Sequence, residues 1–271
     1  MIFTAESRCA VPGLERERTT AIAIIACFAN AQRPASILSP GFDQAGRRPS
    51  NFMTAFDFEQ ARYNMVEQQI RTWDVLDQRV LDLLFAVKRE EFVPPAYRAL
   101  AFADLELPLP NGSRMWTPKM EARVIQELML KGNDHVLEIG TGSGYLTALL
   151  ASEAGDVTSV EIDGNTADEA RAKLGRMGFT NVRVQVGDGA RGFGNDVYDV
   201  IVLTGSTPLL PERFFDQLTP GARLFAVVGE LPVMTARLVR VEAPGARVSI
   251  DLFETVVAPL VNALAPARFE F

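Results

Sequence analysis

A glycine-rich loop between a short apolar run and a helical pattern constrains this chain more than any other feature. Residues 135–139, His-Val-Leu-Glu-Ile, contain β-branched residues in an apolar context, which predicts a buried strand. The chain then passes through the loop 140–144, Gly-Thr-Gly-Ser-Gly, where a ligand can lie against the backbone. A helical pattern begins at Tyr145, and a second apolar run ends at Glu161. This order is typical of the nucleoside-binding half of an α/β sheet, in which Glu161 would bind the two ribose hydroxyls.

The spacing of the glycines distinguishes between two nucleoside ligands. A dinucleotide-binding loop reads G-x-G-x-x-G, whereas this loop reads G-x-G-x-G and has Tyr145 at the position of the last glycine. Glu138, two residues before the first glycine, would repel a pyrophosphate at the helix N-terminus. A carboxylate there suits a ligand with positive charge, and S-adenosylmethionine carries an ammonium and a sulfonium. We therefore predict S-adenosyl-L-methionine as the cofactor.

A second short turn, Gly187-Asp188-Gly189, follows the third predicted strand at the same edge of the sheet. The Asp188 carboxylate could accept a hydrogen bond from the exocyclic amine of adenine, so the two turns would converge on one ligand. The predicted cofactor-binding residues are Glu138, Gly140, Thr141, Gly142, Ser143, Gly144, Glu161, Asp188 and Gly189.

Composition argues against several other kinds of site and partner. The net charge is −7, and no stripe of Lys and Arg marks a nucleic-acid surface. Both cysteines, Cys9 and Cys27, lie in the first fifty residues, and the single histidine is His135, so we predict no metal site. No run of eighteen apolar residues is present, so we expect no membrane span and a cytoplasmic protein.

Residues 1–52 differ in kind from the rest of the chain. They carry six arginines, no lysine and four acids, without a helical or strand period. We expect a disordered extension, or a segment that is not translated, with Met53 as the natural start. An export signal is the alternative, because the apolar run 21–29 leads into Ala29-Asn-Ala31, which resembles a cleavage site.

The remaining chain alternates between helical and strand patterns. Helices are predicted from Asp57 to about 72, from Asp74 onward, at 117–130, 144–153, 165–177 and 211–218, and strands at 135–139, 157–161, 182–186, 197–203, 223–228, 233–241 and 248–257, with a turn at 219–222. These elements predict an α/β fold with a doubly wound, Rossmann-like and mostly parallel sheet, a C-terminal antiparallel hairpin and an N-terminal helical cap. Within one structural unit, 53–271, we expect the cap and acceptor loops at 53–131 and the cofactor-binding domain at 132–271.

Several segments together carry a family pattern. They are Met65-Val-Glu-Gln-Gln-Ile, Val87-Lys-Arg-Glu-Glu-Phe-Val-Pro, Leu105-Glu-Leu-Pro-Leu, the run from Val136 to Ala148, Val186-Gly-Asp-Gly and Pro259-Leu-Val. Through them residues 62–261 resemble the protein-L-isoaspartate O-methyltransferases, a branch of the class I S-adenosylmethionine-dependent methyltransferases. The stretch that begins at Val87 is much more specific than the glycine loop. The resemblance implies an enzyme that methylates isoaspartyl carboxylates of damaged proteins.

The resemblance also implies site residues, with one departure. Besides the cofactor contacts, it places Met115, Trp116, Thr117, Thr204, Gly205 and Ser206 toward the methyl acceptor. The family typically has a catalytic serine in a Thr-Ile-Ser-x-Pro context, but this chain reads Arg-Met-Trp-Thr-Pro over 114–118, with Trp116 at the serine position. No catalytic residue is therefore assigned.

Trp116 leaves three hypotheses open. The first is a protein carboxyl O-methyltransferase of the isoaspartate type. The second is the same fold with another acceptor that stacks on the indole, and the third is a non-catalytic S-adenosylmethionine-binding protein whose acceptor pocket Trp116 fills. Chemistry favours the first, because methyl transfer to a carboxylate needs orientation more than acid–base help. An aspartyl carboxyl, with a pKa of about 3.9, is already ionised at pH 7. The oligomeric state is left open.

Overall fold

A seven-stranded sheet organises the part of the chain that the computed structural model describes, residues 56–243 and 245–266. Its strands are β3 (His135–Ile139), β4 (Asp156–Glu161), β5 (Val182–Val186), β6 (Tyr198–Thr207), β7 (Leu218–Glu230), β8 (Val233–Ala243) and β9 (Ala246–Thr255). Their order across the sheet is β5-β4-β3-β6-β7-β8-β9. Pairing is parallel from β5 to β7 and antiparallel for β8 and β9. The predicted doubly wound sheet with its C-terminal antiparallel hairpin is confirmed.

Helices and a small hairpin surround this sheet. Within the described ranges the α-helices are α1 (Phe58–Met65), α2 (Gln78–Ala86), α3 (Pro118–Leu128), α4 (Tyr145–Glu153), α5 (Gly164–Arg176) and α6 (Glu212–Asp216). A π-helical turn (Val66–Ile70) and 3₁₀ turns (Arg71–Trp73, Arg89–Glu91 and Pro95–Leu100) complete the cap. β1 (Leu107–Pro108) and β2 (Arg114–Met115) pair antiparallel and form what we call the acceptor hairpin. None of the helices in the described ranges is long and apolar enough to cross a membrane.

The alternation of side chains along the strands divides the interior into two apolar cores. Val136 of β3 belongs to the core that α3 and α4 cover, whereas Leu137 and Ile139 belong to the core on the other face of the sheet. That second core is closed in part by Phe214 of the short helix α6. The carboxyl ends of the central strands lie at the edge of the sheet between these two cores. Sheets of this kind bind their ligands at that edge.

The second helix of the cap begins three residues later than the sequence predicted. Asp57 caps α1 as expected, but Asp74 adopts a left-handed conformation with φ 63° and ends the preceding turn. A residue in that conformation cannot continue a right-handed helix. Asp77 is therefore the N-cap of α2 and accepts a hydrogen bond from the Arg79 amide at 2.9 Å.

The predicted turn at 219–222 is also wrong, because these residues lie inside β7. The register between β6 and β7 passes from Tyr198 opposite Leu218 to Val200 opposite Arg223, so β7 carries extra residues at this point. Gly221 has φ 83°, a conformation that glycine adopts without strain. The turn-like sequence thus forms a bulge rather than a strand end.

Candidate functional site

A cavity of about 480 Å³ opens at the carboxyl edge of the parallel strands. Its walls come from the segments that follow β3, β4 and β5, from the middle of β6, from the acceptor hairpin and from residues 258–261 near the C-terminus. Doubly wound sheets bind their ligands at this edge, and the volume lies within the usual range for a small-molecule site.

The glycines of the loop 140–144 let its backbone approach one wall of this cavity closely. Gly140, Gly142 and Gly144 have φ values of 98°, 53° and 84°, which residues with a Cβ rarely adopt. A Cβ on Gly140 would also overlap the hydroxyl of Thr204. That hydroxyl lies 2.9 Å from the Ile139 carbonyl and 2.8 Å from the Gly140 carbonyl. Glycine is therefore required where β6 contacts the loop.

Glu161, at the end of β4, presents its carboxylate to the loop and to the cavity. Its Oε2 accepts a hydrogen bond from the Gly142 amide at 2.9 Å, and its Oε1 accepts one from the Asp163 amide at 3.2 Å. Thr141 and Ser143 also line the cavity, whereas Gly144 lies behind them as the N-cap of α4. The structure thus brings the loop and Glu161 together.

Glu138 differs from the sequence prediction, because its side chain does not line the cavity. Its Oε2 accepts hydrogen bonds from the hydroxyls of Thr147 at 2.5 Å and Ser159 at 2.6 Å, beneath the loop. Burial raises the pKa of this carboxyl to about 8, against the opposing effect of the two hydroxyls. Its other oxygen has no hydrogen-bond partner among the described residues.

The turn after β5 contributes the next wall. Asp188 accepts hydrogen bonds from the Ala190 amide at 3.0 Å and from the Asn262 side-chain amide at 2.8 Å. Gly189 lies against β3, since a Cβ there would approach the Ile139 side chain to 2.7 Å. Both residues line the cavity.

Of the residues predicted to face the acceptor, four line this cavity and two do not. Met115, Trp116, Thr204 and Gly205 are in its walls. Thr117 lines a second cavity of about 260 Å³ on the other side of Trp116. Ser206 is turned away: its hydroxyl donates to the Val257 carbonyl at 3.1 Å, because the chain near the C-terminus pairs with β6 here.

Trp116 is a fixed wall between the two cavities. Its side chain is 7% exposed and meets Phe225 of β7 edge to face, with ring centroids 6.3 Å apart. Its backbone carbonyl accepts a hydrogen bond from the buried Arg89 guanidinium at 2.5 Å. Arg89 also forms an ion pair with Glu121 of α3, and burial lowers the pKa of Arg89 to about 10. The indole is therefore part of the core as well as of the site.

Sequence reasoning missed several charged residues of the cavity wall, Glu106, Arg114 and Glu121. Burial raises the pKa of Glu106, and the positive charge of Arg114 acts in the opposite direction. A signal for Arg114 was available. Because side chains alternate along a strand, a hairpin that presents Trp116 to a site also presents Arg114 on the same face.

The residues of the cavity fit the predicted cofactor. The glycines of the loop leave room for a nucleoside and an amino-acid group, and the carboxylates of Glu161 and Asp188 lie in the walls as acceptors for hydroxyl and amine donors. Among the described residues, no group of three or more His, Cys, Asp or Glu side chains is arranged to hold a metal ion.

Comparisons with known proteins agree with this geometry. Residues 60–264 match the model of the family Protein-L-isoaspartate(D-aspartate) O-methyltransferase. A protein-L-isoaspartate O-methyltransferase of Methanoculleus marisnigri is 42% identical over 178 residues, 65% of this chain and 81% of that protein. The enzyme of the same name from Koribacter versatilis is 35% identical over 219 residues, 80% of this chain and 97% of that protein.

Solved structures show the same fold. A protein-L-isoaspartate O-methyltransferase superposes with a TM-score of 0.63 at 26% identity, covering 73% of this chain and 65% of the other. A Plasmodium falciparum protein described as a putative protein-L-isoaspartate O-methyltransferase, in complex with S-adenosyl-L-homocysteine, also gives 0.63 at 17% identity, covering 76% of this chain and 98% of that one.

Proposed function

The chain belongs to the protein-L-isoaspartate(D-aspartate) O-methyltransferase family, and from this premise we propose that it methylates isoaspartyl carboxylates in proteins. The predictions of a methyltransferase and of S-adenosylmethionine as its cofactor are confirmed by the family match. The observation that carries the proposal is that this match, residues 60–264, includes the glycine loop, Glu161 and the acceptor hairpin with Trp116. Another acceptor and a purely binding function are not favoured by these relatives.

The cofactor side of the cavity has a separate role for each wall. S-adenosylmethionine, when bound, supplies the methyl group from a sulfonium centre. We assign the ribose hydroxyls to the carboxylate of Glu161 and the adenine amine to Asp188. The loop 140–144 accommodates the ligand because its glycines let the backbone approach closely. Glu138 lies beneath the loop, where its carboxyl accepts hydrogen bonds from Thr147 and Ser159, and burial raises its pKa to about 8, so it supports the loop rather than supplying negative charge to the cofactor.

The acceptor side orients an anion that is already reactive. A carboxylate needs no general base at neutral pH, so the protein must hold one oxygen in line with the methyl group and exclude water. The wall that would do this consists of Met115, Trp116, Thr204 and Gly205. The assignment is supported by the fact that they line the same cavity as Glu161. No residue is assigned as a catalytic acid or base.

Isoaspartyl-containing proteins are the proposed partners, and the cytoplasm is the proposed location. The support for the location is that a nucleoside cofactor is supplied there. The net charge of −7 supports a protein partner over a nucleic acid.

A transfer assay tests the proposal. The full chain is incubated with S-adenosylmethionine labelled in its methyl group and with a peptide that contains one isoaspartyl residue. The same peptide with a normal aspartyl residue is the matched control. We expect base-labile label in the isoaspartyl peptide alone, since carboxyl methyl esters hydrolyse in base. Label only in proteins of a cell extract would indicate another acceptor, and S-adenosylhomocysteine binding without any transfer would indicate a non-catalytic protein.

A further inference from the structure

The wall of the main cavity has an uneven charge. The charged side chains that line it are five acids and one base, namely Glu106, Glu121, Glu161, Asp163, Asp188 and Arg114. The acceptor proposed above is itself an anion. A carboxylate that enters a cavity lined by acids is repelled unless a cation offsets them.

Four of the five acids already have partners in the protein. Glu121 pairs with Arg89, Glu161 accepts two backbone amides, Asp163 caps α5 by accepting from the Thr166 amide at 2.8 Å, and Asp188 accepts from Ala190 and Asn262. These acids are held by the fold, so they are not free to bind the single cation of the wall. Glu106 is the remaining acid; burial raises its pKa, against the opposing charge of Arg114, and within the described ranges the two side chains form no ion pair.

Arg114 is placed to meet an incoming ligand. It lies in β2 opposite Pro108, its side chain is exposed, and it lines the cavity. It lies two residues before Trp116, and the buried Met115 between them lines the same cavity. Within the described ranges its guanidinium makes no hydrogen bond or ion pair with another side chain. A cation without a partner at the mouth of an acidic cavity is available to an anion from solution.

We propose that Arg114 is the specificity-determining residue that pairs with the acceptor carboxylate of the isoaspartyl substrate. A guanidinium binds a carboxylate with directional, charge-assisted hydrogen bonds. It would hold one carboxylate oxygen while the other faces the methyl donor, and it would offset the repulsion from the acidic wall. This inference rests on the proposed function, because it takes the isoaspartyl carboxylate as the ligand.

A binding cycle tests the pairing without turnover. Calorimetry in the presence of saturating S-adenosylhomocysteine compares an isoaspartyl peptide with its carboxamide analogue, in which the acceptor carboxylate is neutral. Both peptides are titrated into the wild-type chain and into Arg114→Gln. We expect the wild type to prefer the carboxylate peptide by about tenfold, as for one partly exposed charge-assisted pair, and Arg114→Gln to lose that preference. The preference of the wild type should also fall as salt is raised, because the pair is accessible to solvent.

Matched variants distinguish the effect of a direct pair between Arg114 and the carboxylate from the effect of the overall charge of the protein. Arg176→Gln removes the same charge from the exposed face of α5, outside the cavity, and should leave the preference unchanged. Arg114→Lys should restore part of it. The affinity for S-adenosylhomocysteine should be the same in all variants, which also shows that each has folded.

The outcomes distinguish this inference from the proposed function. If Arg114→Gln keeps the wild-type preference for the carboxylate, the pairing is overturned while the methyltransferase proposal stands. If the wild type binds and methylates neither peptide, the isoaspartyl acceptor itself is overturned, and the pairing with it. Loss of the preference in Arg176→Gln as well would overturn a specific role for Arg114.

Discussion

At the scale of single residues, Glu161 is the side chain whose removal should weaken cofactor binding most directly. Its carboxylate is held by the Gly142 and Asp163 amides and faces the cavity. In Glu161→Ala the ribose hydroxyls would lose a charge-assisted acceptor, so we expect S-adenosylhomocysteine to bind more weakly by roughly 1.5–3 kcal/mol. Calorimetric titration measures this. Glu169→Ala, on the exposed surface of α5, is the control. Wild-type affinity in Glu161→Ala would remove Glu161 from the site.

Glu138 makes the stability of the protein depend on pH. Burial raises its pKa from 4.5 to about 8, so the folded state favours the protonated carboxyl. The stabilisation is therefore fully present below the unfolded pKa of about 4.5, and it is lost as the pH rises toward about 8. Glu138→Gln stays neutral throughout, so its stability should exceed that of the wild type by an increasing margin over this window.

Thermal melting without cofactor from pH 5 to pH 9 measures that margin. Because one unit of pKa shift corresponds to about 1.4 kcal/mol, we expect a gain of a few kcal/mol for Glu138→Gln at pH 8 and little further change above it. Glu169→Gln is the exposed control and should follow the wild type. A margin that stays constant between pH 5 and pH 9 would show that the pKa of Glu138 is not raised in the folded protein.

At the scale of elements, the acceptor hairpin is fastened to the core through Trp116. The indole packs on Phe225, and the carbonyl of the same residue is held by Arg89. Replacing it with the family's serine would leave a cavity, since Trp116 separates the two cavities described above. For Trp116→Ser we expect a loss of about 3–5 kcal/mol in the free energy of unfolding and a higher KM for the isoaspartyl peptide.

Denaturant unfolding and steady-state kinetics test this expectation, with Trp73→Ser as the control. Trp73 lines only the second cavity and packs on Phe253, so its loss should lower stability without raising the KM. Faster methylation of the isoaspartyl peptide by Trp116→Ser would mean instead that the indole blocks the acceptor site. A loss of stability with an unchanged KM would leave Trp116 with a packing role alone.

At the scale of the whole molecule, residues Ala55–Phe271 form one compact unit. The proposed boundary at Met53 predicts that a chain starting there keeps its melting temperature and its affinity for S-adenosylhomocysteine, because residues 1–52 have too little patterned apolar surface to join a core. Differential scanning calorimetry and titration of the two chains measure both quantities.

A longer truncation is the matched comparison. Starting the chain at Val66 removes α1 and with it Arg62, which is fully buried and paired with Glu90. An acid left buried without its partner costs several kcal/mol, so this chain should melt at a much lower temperature. An equally large loss in the chain that starts at Met53 would contradict the boundary. Recovery of a mature protein that begins at Gln32 would favour export.

Local patterns predicted most of the elements, and their failures have local reasons. The alternation of apolar runs and helical periods gave the strands of the parallel sheet, because each pattern reflects burial on one or two faces. Asp74 and the residues 219–222 carried the ordinary signals of a helix start and a turn. In the structure Asp74 ends a turn in a left-handed conformation, and 219–222 form a bulge in β7. Neighbouring elements decided both cases, and a local sequence signal contains no information about them.

The sequence by itself determined the loop, the acid Glu161 at the end of β4 and the family, since each depends on residues that are close together along the chain. The tertiary structure alone decided which side chains face the cavity. Glu138 turned beneath the loop to Thr147 and Ser159, and Ser206 turned to Val257, because a buried polar group takes the nearest partner that packing offers. The fold also made Arg114 the one basic side chain among the charged residues that line the cavity. Its neighbours there come from strands and loops far apart in the sequence, so only the folded chain brings them together.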